Sequence, residues 1–232
     1  MKEFKYWTKQ DIFKEFGLEK TESCQVLKGW IDNLEEELTT EENIFLEQQR
    51  KQLVKYIEIW NERELAINFI GRLIAEIDFY TDNANFFYGR NLVSKIEGKK
   101  IEGSVFGMFA EGKYAPNQPY FCLHQKNYEL DFNNDGVAQL IMIMYAAQGF
   151  SNYQFPMYGA YVNERSWFFM TLTDKGYYKS EVFTATKKDE LLQIYLILKR
   201  LKNIVNKLAI IHQNLVSINK MTNLSIFSTS SN

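Results

Sequence analysis

From Leu191 to Leu215 the chain repeats one pattern without a break. Leu191, Ile194, Leu198, Leu201, Val205, Leu208, His212 and Leu215 stand at alternating steps of three and four residues. That spacing is a heptad seam, one stripe along one long helix. It predicts a helix over 186–220, capped by Thr186 and longer than most globular helices. A stripe of this length demands a cover. The N-terminal helices could supply it, or the 191–215 helix could pair with a protein partner or a second copy of the chain as a homodimer. His212 would weaken a dry seam, and one polar seam residue can also set register.

The first third reads as helical. Thr8 is placed to cap a helix that Gly17 ends, and a second helix is expected over 22–37. A third opens at Thr40, with Glu41 and Glu42 in the first turn, where carboxylates suit the helix dipole. Asn61 caps a fourth, with Glu64 three residues on as a capping-box partner. The middle alternates and turns as β-structure does. Strands are expected over 86–109 with a hairpin at G-K-K, then over 119–125, 157–163 and 167–173, and around 177–183. Asp135-Gly136 leads into an apolar helix over 137–148. The pattern predicts an α+β fold, α/β-like, around a central mixed sheet. Its expected parts are a helical N-terminal region (1–60), a core (61–185), the long C-terminal helix (186–220) and a disordered tail (221–232).

Composition narrows the function classes. With 46% hydrophobic and 16% aromatic residues the chain can fill a core. Its net charge of -2 is not that of a strongly basic nucleic-acid binder, although a neutral total can hide a local basic groove. The opening MKEFKYWTKQ lacks the apolar run of a signal peptide. The longest apolar run, 137–147, is too short to span a bilayer. These features, with two distant cysteines (Cys24 and Cys122), predict a cytoplasmic protein without a membrane partner. Two Cys and two His at unrelated positions cannot supply a zinc-finger ligand set. The sequence has no phosphate-binding glycine loop and no G-x-S-x-G elbow.

The stretches NERELAINFIGRLIAEIDF, IEGSVFGMFAEG, PYFCLHQKN and GVAQLIMIMYAAQ, in that order, resemble the PD-(D/E)XK superfamily of the restriction-endonuclease-like fold. They also resemble uncharacterised bacterial proteins and the nuclease domain of type I restriction subunits. The resemblance covers about residues 61–173. It implies an aspartate on the second strand and an acid on the third to hold Mg²⁺, with a lysine two residues after the acid. The two-residue step follows from strand alternation, because only i and i+2 share a face. Phe106 occupies the aspartate position, Gln125 the acid position and Asn127 the lysine position. Lys126 falls on the opposite face unless a bulge re-aims it. Glu64 corresponds to the helix glutamate that supports the metal, and it is also a capping-box residue.

The resemblance therefore implies a degenerate site at Gln125, Lys126 and Glu64. It implies no cofactor, and a pseudoenzyme that binds a nucleic acid or a protein. The rival expectation is an active, divergent, metal-dependent DNA nuclease with a defence role, using Mg²⁺ with Gln125, Lys126 and Glu64 or Glu76. A third is an interaction protein built on the terminal helices, with no nucleic-acid role. Other residues carry plainer readings. His124 reads as a strand histidine, and Glu102 lies about 13 Å from the site along the strand. Lys95, Lys99, Lys100 and Lys113 read as solvated edge residues. Tyr158, Tyr161 and Trp167 could stack bases or fill the core.

Overall fold

The computed structural model describes residues 2–126, 135–152 and 154–229, with side chains described through residue 219. The chain opens with β1 (Lys2–Glu3) and a 3-10 turn (Phe4–Tyr6). Then come α1 (Lys9–Phe16), β2 (Glu19–Lys20), α2 (Gln25–Ile31) and α3 (Thr40–Tyr56). Three helix starts are set locally by reciprocal capping boxes, Thr8 with Asp11, Thr39 with Glu42 and Asn61 with Glu64. Gly17 ends α1 in the left-handed region at φ 65°, where the absence of a Cβ removes the steric cost.

The helix expected over 22–37 is much shorter. Asn33 turns left-handed at φ 52° just beyond it. The Arg200 guanidinium then donates to the carbonyls of Asp32 and Asn33, both at 2.6 Å. Those carbonyls are bound by a distant arginine instead of continuing a helix.

The fourth helix has three parts: α4 (Glu62–Leu65), a π-helical turn (Ala66–Ile70) and α5 (Gly71–Ile77). The Gly71 N–H reaches the Ala66 carbonyl, five residues back. A Cβ at position 71 would come within 3.0 Å of that same oxygen, so glycine suits the wider turn.

The β-region follows as β3 (Asn85–Ile96), β4 (Lys99–Glu111) and β5 (Gln118–Gln125), then α6 (Gly136–Gln148). After α6 come β6 (Met157–Asn163), β7 (Ser166–Thr173), β8 (Gly176–Lys179) and β9 (Phe183–Thr184). The β3–β4 turn is Glu97-Gly98, both at positive φ, and the two lysines of G-K-K already belong to β4. The strand expected around 177–183 is two short ones. Between them the Ser180 hydroxyl accepts the Phe169 N–H at 3.0 Å. The chain closes with α7 (Lys188–Thr229), which passes the expected end at 220.

Among the described residues the strands form one mixed sheet of nine, so the fold is α+β around a central mixed sheet. The meander β3–β4–β5 is antiparallel, α6 crosses over, and β6 returns parallel to β5. Antiparallel β7 and β8 extend the sheet beyond β6. Residues 1–60, expected as a helical extension, also supply β1 beside β4 and β2 beside β8.

Each sheet face has its own core. On one face α2, α3, α4–α5 and the first half of α7 pack around Trp30, Phe69, Phe121 and Leu198. Trp30 is fully buried and meets Phe121, Tyr158 and Phe169 edge-on at 6.3, 5.1 and 5.2 Å between centroids, a favoured arrangement for aromatic pairs. On the other face α6 lies against the sheet, buried almost all round, with the N-terminal turn and α1 packed on it. No helix among the described residues is long and apolar enough to cross a membrane.

Candidate functional site

Strand pairing opens a cleft in the sheet. β3 runs along one edge of β4 for nearly its whole length, so β1 and β5 must share the other edge. β1 pairs at Ile101 and Glu102, whereas β5 pairs from Gly107 to Glu111. Between these contacts β4 and β5 diverge. The gap is a cleft of about 510 Å³, with Gly103, Ser104 and Phe106 on one wall and His124, Gln125 and Lys126 on the other. Glu3, Phe4 and Lys5 close one end, Glu62, Arg63 and Ala66 another, and Gln139 and Ile143 of α6 also line it. Gly103 is required here, because a Cβ would stand 2.5 Å from the Phe4 ring.

The wall residues are held by defined contacts. The Gln125 Nε2 donates to the Glu62 carbonyl at 2.6 Å, which ties the end of β5 to the first turn of α4. His124 is buried and stacks on Tyr161 at 5.6 Å and 19°. Phe106 meets Tyr88 edge-on at 6.1 Å, and burial pushes the Tyr88 hydroxyl pKa up to about 12. Lys5 pairs with Glu3 at 3.1 Å, and that hydrogen bond holds its pKa above the usual lysine value. Arg63 is exposed, and its side chain makes no ion pair or hydrogen bond among the described residues. A second groove of about 230 Å³ shares Glu62, Gln125 and Lys126 with the first and continues to Trp60, Asn163 and Glu164.

The residues read from the sequence separate clearly. Phe106, Gln125 and Lys126 meet in the cleft. Strand alternation had placed Lys126 on the opposite face. β5 ends at Gln125, the Lys126 N–H donates to the Val162 carbonyl at 2.8 Å, and His124, which alternation puts on the same face as Lys126, lines the cleft with it. Glu64 does not join them. Its carboxylate accepts the Asn61 N–H at 2.9 Å on the exposed side of α4, so its work is capping. Asn127 lies outside the described residues. Glu76 is exposed on α5 away from the cleft lining. Glu102 pairs with Lys100 at 2.9 Å.

Sequence reasoning missed Glu62 and Arg63, the true cleft neighbours on α4. The signal was their place in the first turn after the Asn61 cap, the turn nearest the end of β5. Lys99 pairs with Glu15 at 2.6 Å, an edge lysine with a structural partner. Trp167, Tyr158 and Tyr161 are buried, so they fill the core and are closed to bases.

The fit to a metal is poor at the positions the resemblance marks. A phenyl ring at 106 has no donor for a hard cation, Gln125 is a neutral amide committed to a backbone carbonyl, and Lys126 is itself a cation. Mg²⁺ requires oxygen donors, usually with at least one carboxylate, and these three residues do not supply that set. What the arrangement can do is bind. Lys5, Arg63 and Lys126 line it together with the carboxylates of Glu3 and Glu62, beside apolar Phe4, Phe106 and Ile143 and the amides of Gln125 and Gln139. A search against models of known protein families finds no match for this chain, and a search of curated protein sequences finds none either.

Proposed function

We propose that this chain is a restriction-endonuclease-like domain whose metal site has been lost, and that its cleft binds nucleic acid without cutting it. The observation that carries the reading is the composition of the β4–β5 split. The cleft lies at the strand positions the resemblance marks, and Phe106 and Gln125 stand where that resemblance expects carboxylates. The element order supports it as well: helix, three-stranded antiparallel meander, helix, then a strand parallel to the third. Arg63 and Lys126 at the cleft offer positive charge for phosphate contacts, beside Glu62 and a Lys5 that is paired with Glu3.

The test is fluorescence anisotropy with labelled duplex DNA and single-stranded RNA at two salt concentrations, beside a cleavage assay with Mg²⁺ and Mn²⁺. The expected result is salt-dependent binding without hydrolysis, weakened about tenfold or more in an Arg63→Ala/Lys126→Ala variant, since each lost phosphate contact costs affinity and salt slope together. Absence of binding to either nucleic acid would overturn the reading. One observation favours a working nuclease instead: Glu62 brings a carboxylate beside Gln125 and Lys126. Metal-dependent hydrolysis abolished by Glu62→Gln would establish that reading in place of ours.

A further inference from the structure

β3 and β4 break step together at one point, beside the cleft. Tyr88 pairs with Gly107 and Arg90 with Val105, while Gly89 and Phe106 between them make no ladder pair. The faces of both strands change there. Val105 and Met108 on β4, three residues apart, pack into the core on the α6 side, and so do Phe87 and Leu92 on β3, five apart. Regular alternation would send residues an odd number apart to opposite faces. Gly89 takes up the irregularity at φ 58°, a conformation that costs glycine little. The pairing of β4 with β5 begins only at Gly107. Phe106 therefore stands outside both ladders, where a bulge re-aims a side chain, and its ring lines the cleft.

The surroundings of that ring suit a base better than a run of phosphates. Phe4, Phe106 and Ile143 give apolar surface, and exposed Ser104 on the same wall offers a hydroxyl. The charges nearly cancel: Lys5, Arg63 and Lys126 stand with Glu3 and Glu62, and Lys5 is already paired with Glu3. Backbone attraction grows with the number of phosphates neutralised, so this lining draws little affinity from phosphates alone. In a duplex the bases are stacked and paired, and their faces are closed to a side chain. An unpaired base offers a face, and stacking on an aromatic side chain works for every base. The cleft of about 510 Å³ is the size of a small-ligand pocket, and its wall from Gly103 to Phe106 spans only about 10 Å of strand.

We infer that Phe106 is the stacking platform for one unpaired base of a single-stranded nucleic acid, with Arg63 and Lys126 meeting the adjoining phosphates. The inference rests on the nucleic-acid reading of the cleft. It adds the class of strand and the residue that selects it.

Fluorescence anisotropy of the full chain with one labelled oligonucleotide, free or annealed to its complement, tests it. The single strand should bind about tenfold or more tighter than the duplex. Phe106→Ala should weaken binding of the single strand about tenfold or more and leave the duplex unchanged. Phe106→Tyr, which keeps a ring, should recover most of the loss. A fluorescent adenine analogue in the strand should change its emission on binding the wild type and Phe106→Tyr, and not on binding Phe106→Ala. The wild-type preference and the analogue's signal need no variant, so a Phe106→Ala chain that failed to fold would leave the test intact. Equal affinity for strand and duplex would overturn the inference and leave the nucleic-acid reading standing, as would a folded Phe106→Ala that binds the strand like the wild type. A mononucleotide that competes at the same concentration as the oligonucleotide would overturn the assignment to a strand. Binding to neither strand nor duplex would overturn both readings.

Discussion

Two polar regions of this molecule are built from similar residues, one packed against the chain and the other around an open cleft. At the junction of α2, α3 and α7, Glu42 accepts from the Tyr195 hydroxyl at 2.9 Å and from Lys199 at 2.8 Å. Lys199 also pairs with Glu36 at 2.6 Å. The Trp30 Nε1 donates to the Ile197 carbonyl at 2.9 Å, and Arg200 holds the carbonyls that follow α2. Each of these polar groups has a partner within the chain, and the region packs shut. At the β4–β5 cleft, Arg63, Lys126, Gln125 and Glu62 surround an open volume. Polar groups closed on each other stabilise a fold, whereas polar groups around a cavity are placed to meet a ligand. The same residue types are closed on one another in one place and line an open volume in the other, and on the proposed reading that difference separates a structural role from a functional one.

If that contrast is right, substitutions at the junction should change stability and leave binding alone, and cleft substitutions should do the reverse. The largest stability loss belongs to Trp30→Ala. It empties a fully buried aromatic site and removes the Nε1 bond to the Ile197 carbonyl, and should cost about 3–5 kcal/mol in urea unfolding. Glu42→Gln comes next at about 1–2 kcal/mol, because it leaves Lys199 and Tyr195 with a weaker acceptor in a mostly buried place.

Glu42 also sharpens the contrast through pH. Burial alone would raise its pKa, but the bonds from Lys199, the Thr39 N–H and Tyr195 outweigh burial and hold it below the usual carboxyl value. A lowered folded pKa contributes stability above the unfolded value, lost as pH falls through the folded one. The wild type should therefore lose stability relative to Glu42→Gln on acidification below about pH 4.5, so the gap between their unfolding free energies narrows. A gap independent of pH would mean that the charge of Glu42 does no work.

The smallest stability change is expected in the cleft. Arg63→Ala is exposed and makes no ion pair among the described residues, so it should alter unfolding by less than about 0.5 kcal/mol while reducing nucleic-acid affinity. A large stability loss there would erase the contrast.

Much of the fold was legible because its causes are local. The Thr8 cap, the helix that opens at Thr40, the Asn61–Glu64 capping box, the strands 157–163 and 119–125 and the helix after Asp135 all follow from neighbouring residues. The misses share a different origin. The early end of α2 depends on Arg200, 167 residues away from Asn33. The short strands β1 and β2 exist only because β4 and β8 offer them edges. In the site, Phe106 and Gln125 were readable from strand position, but Glu62 and Arg63 became visible only once the end of β5 met the start of α4. The single seam of α7 was legible as a pattern, but the drift that turns it off the body emerges only over several heptads.

The most direct test of the binding reading compares wild type with a Phe106→Asp/Gln125→Glu variant in Mn²⁺ calorimetry and a nucleic-acid cleavage assay. The account predicts that the wild type binds nucleic acid, shows no metal binding in the cleft and leaves the nucleic acid intact. The variant, with two carboxylates facing across the split, should gain a metal site. Metal-dependent cleavage by the wild-type protein would contradict the account.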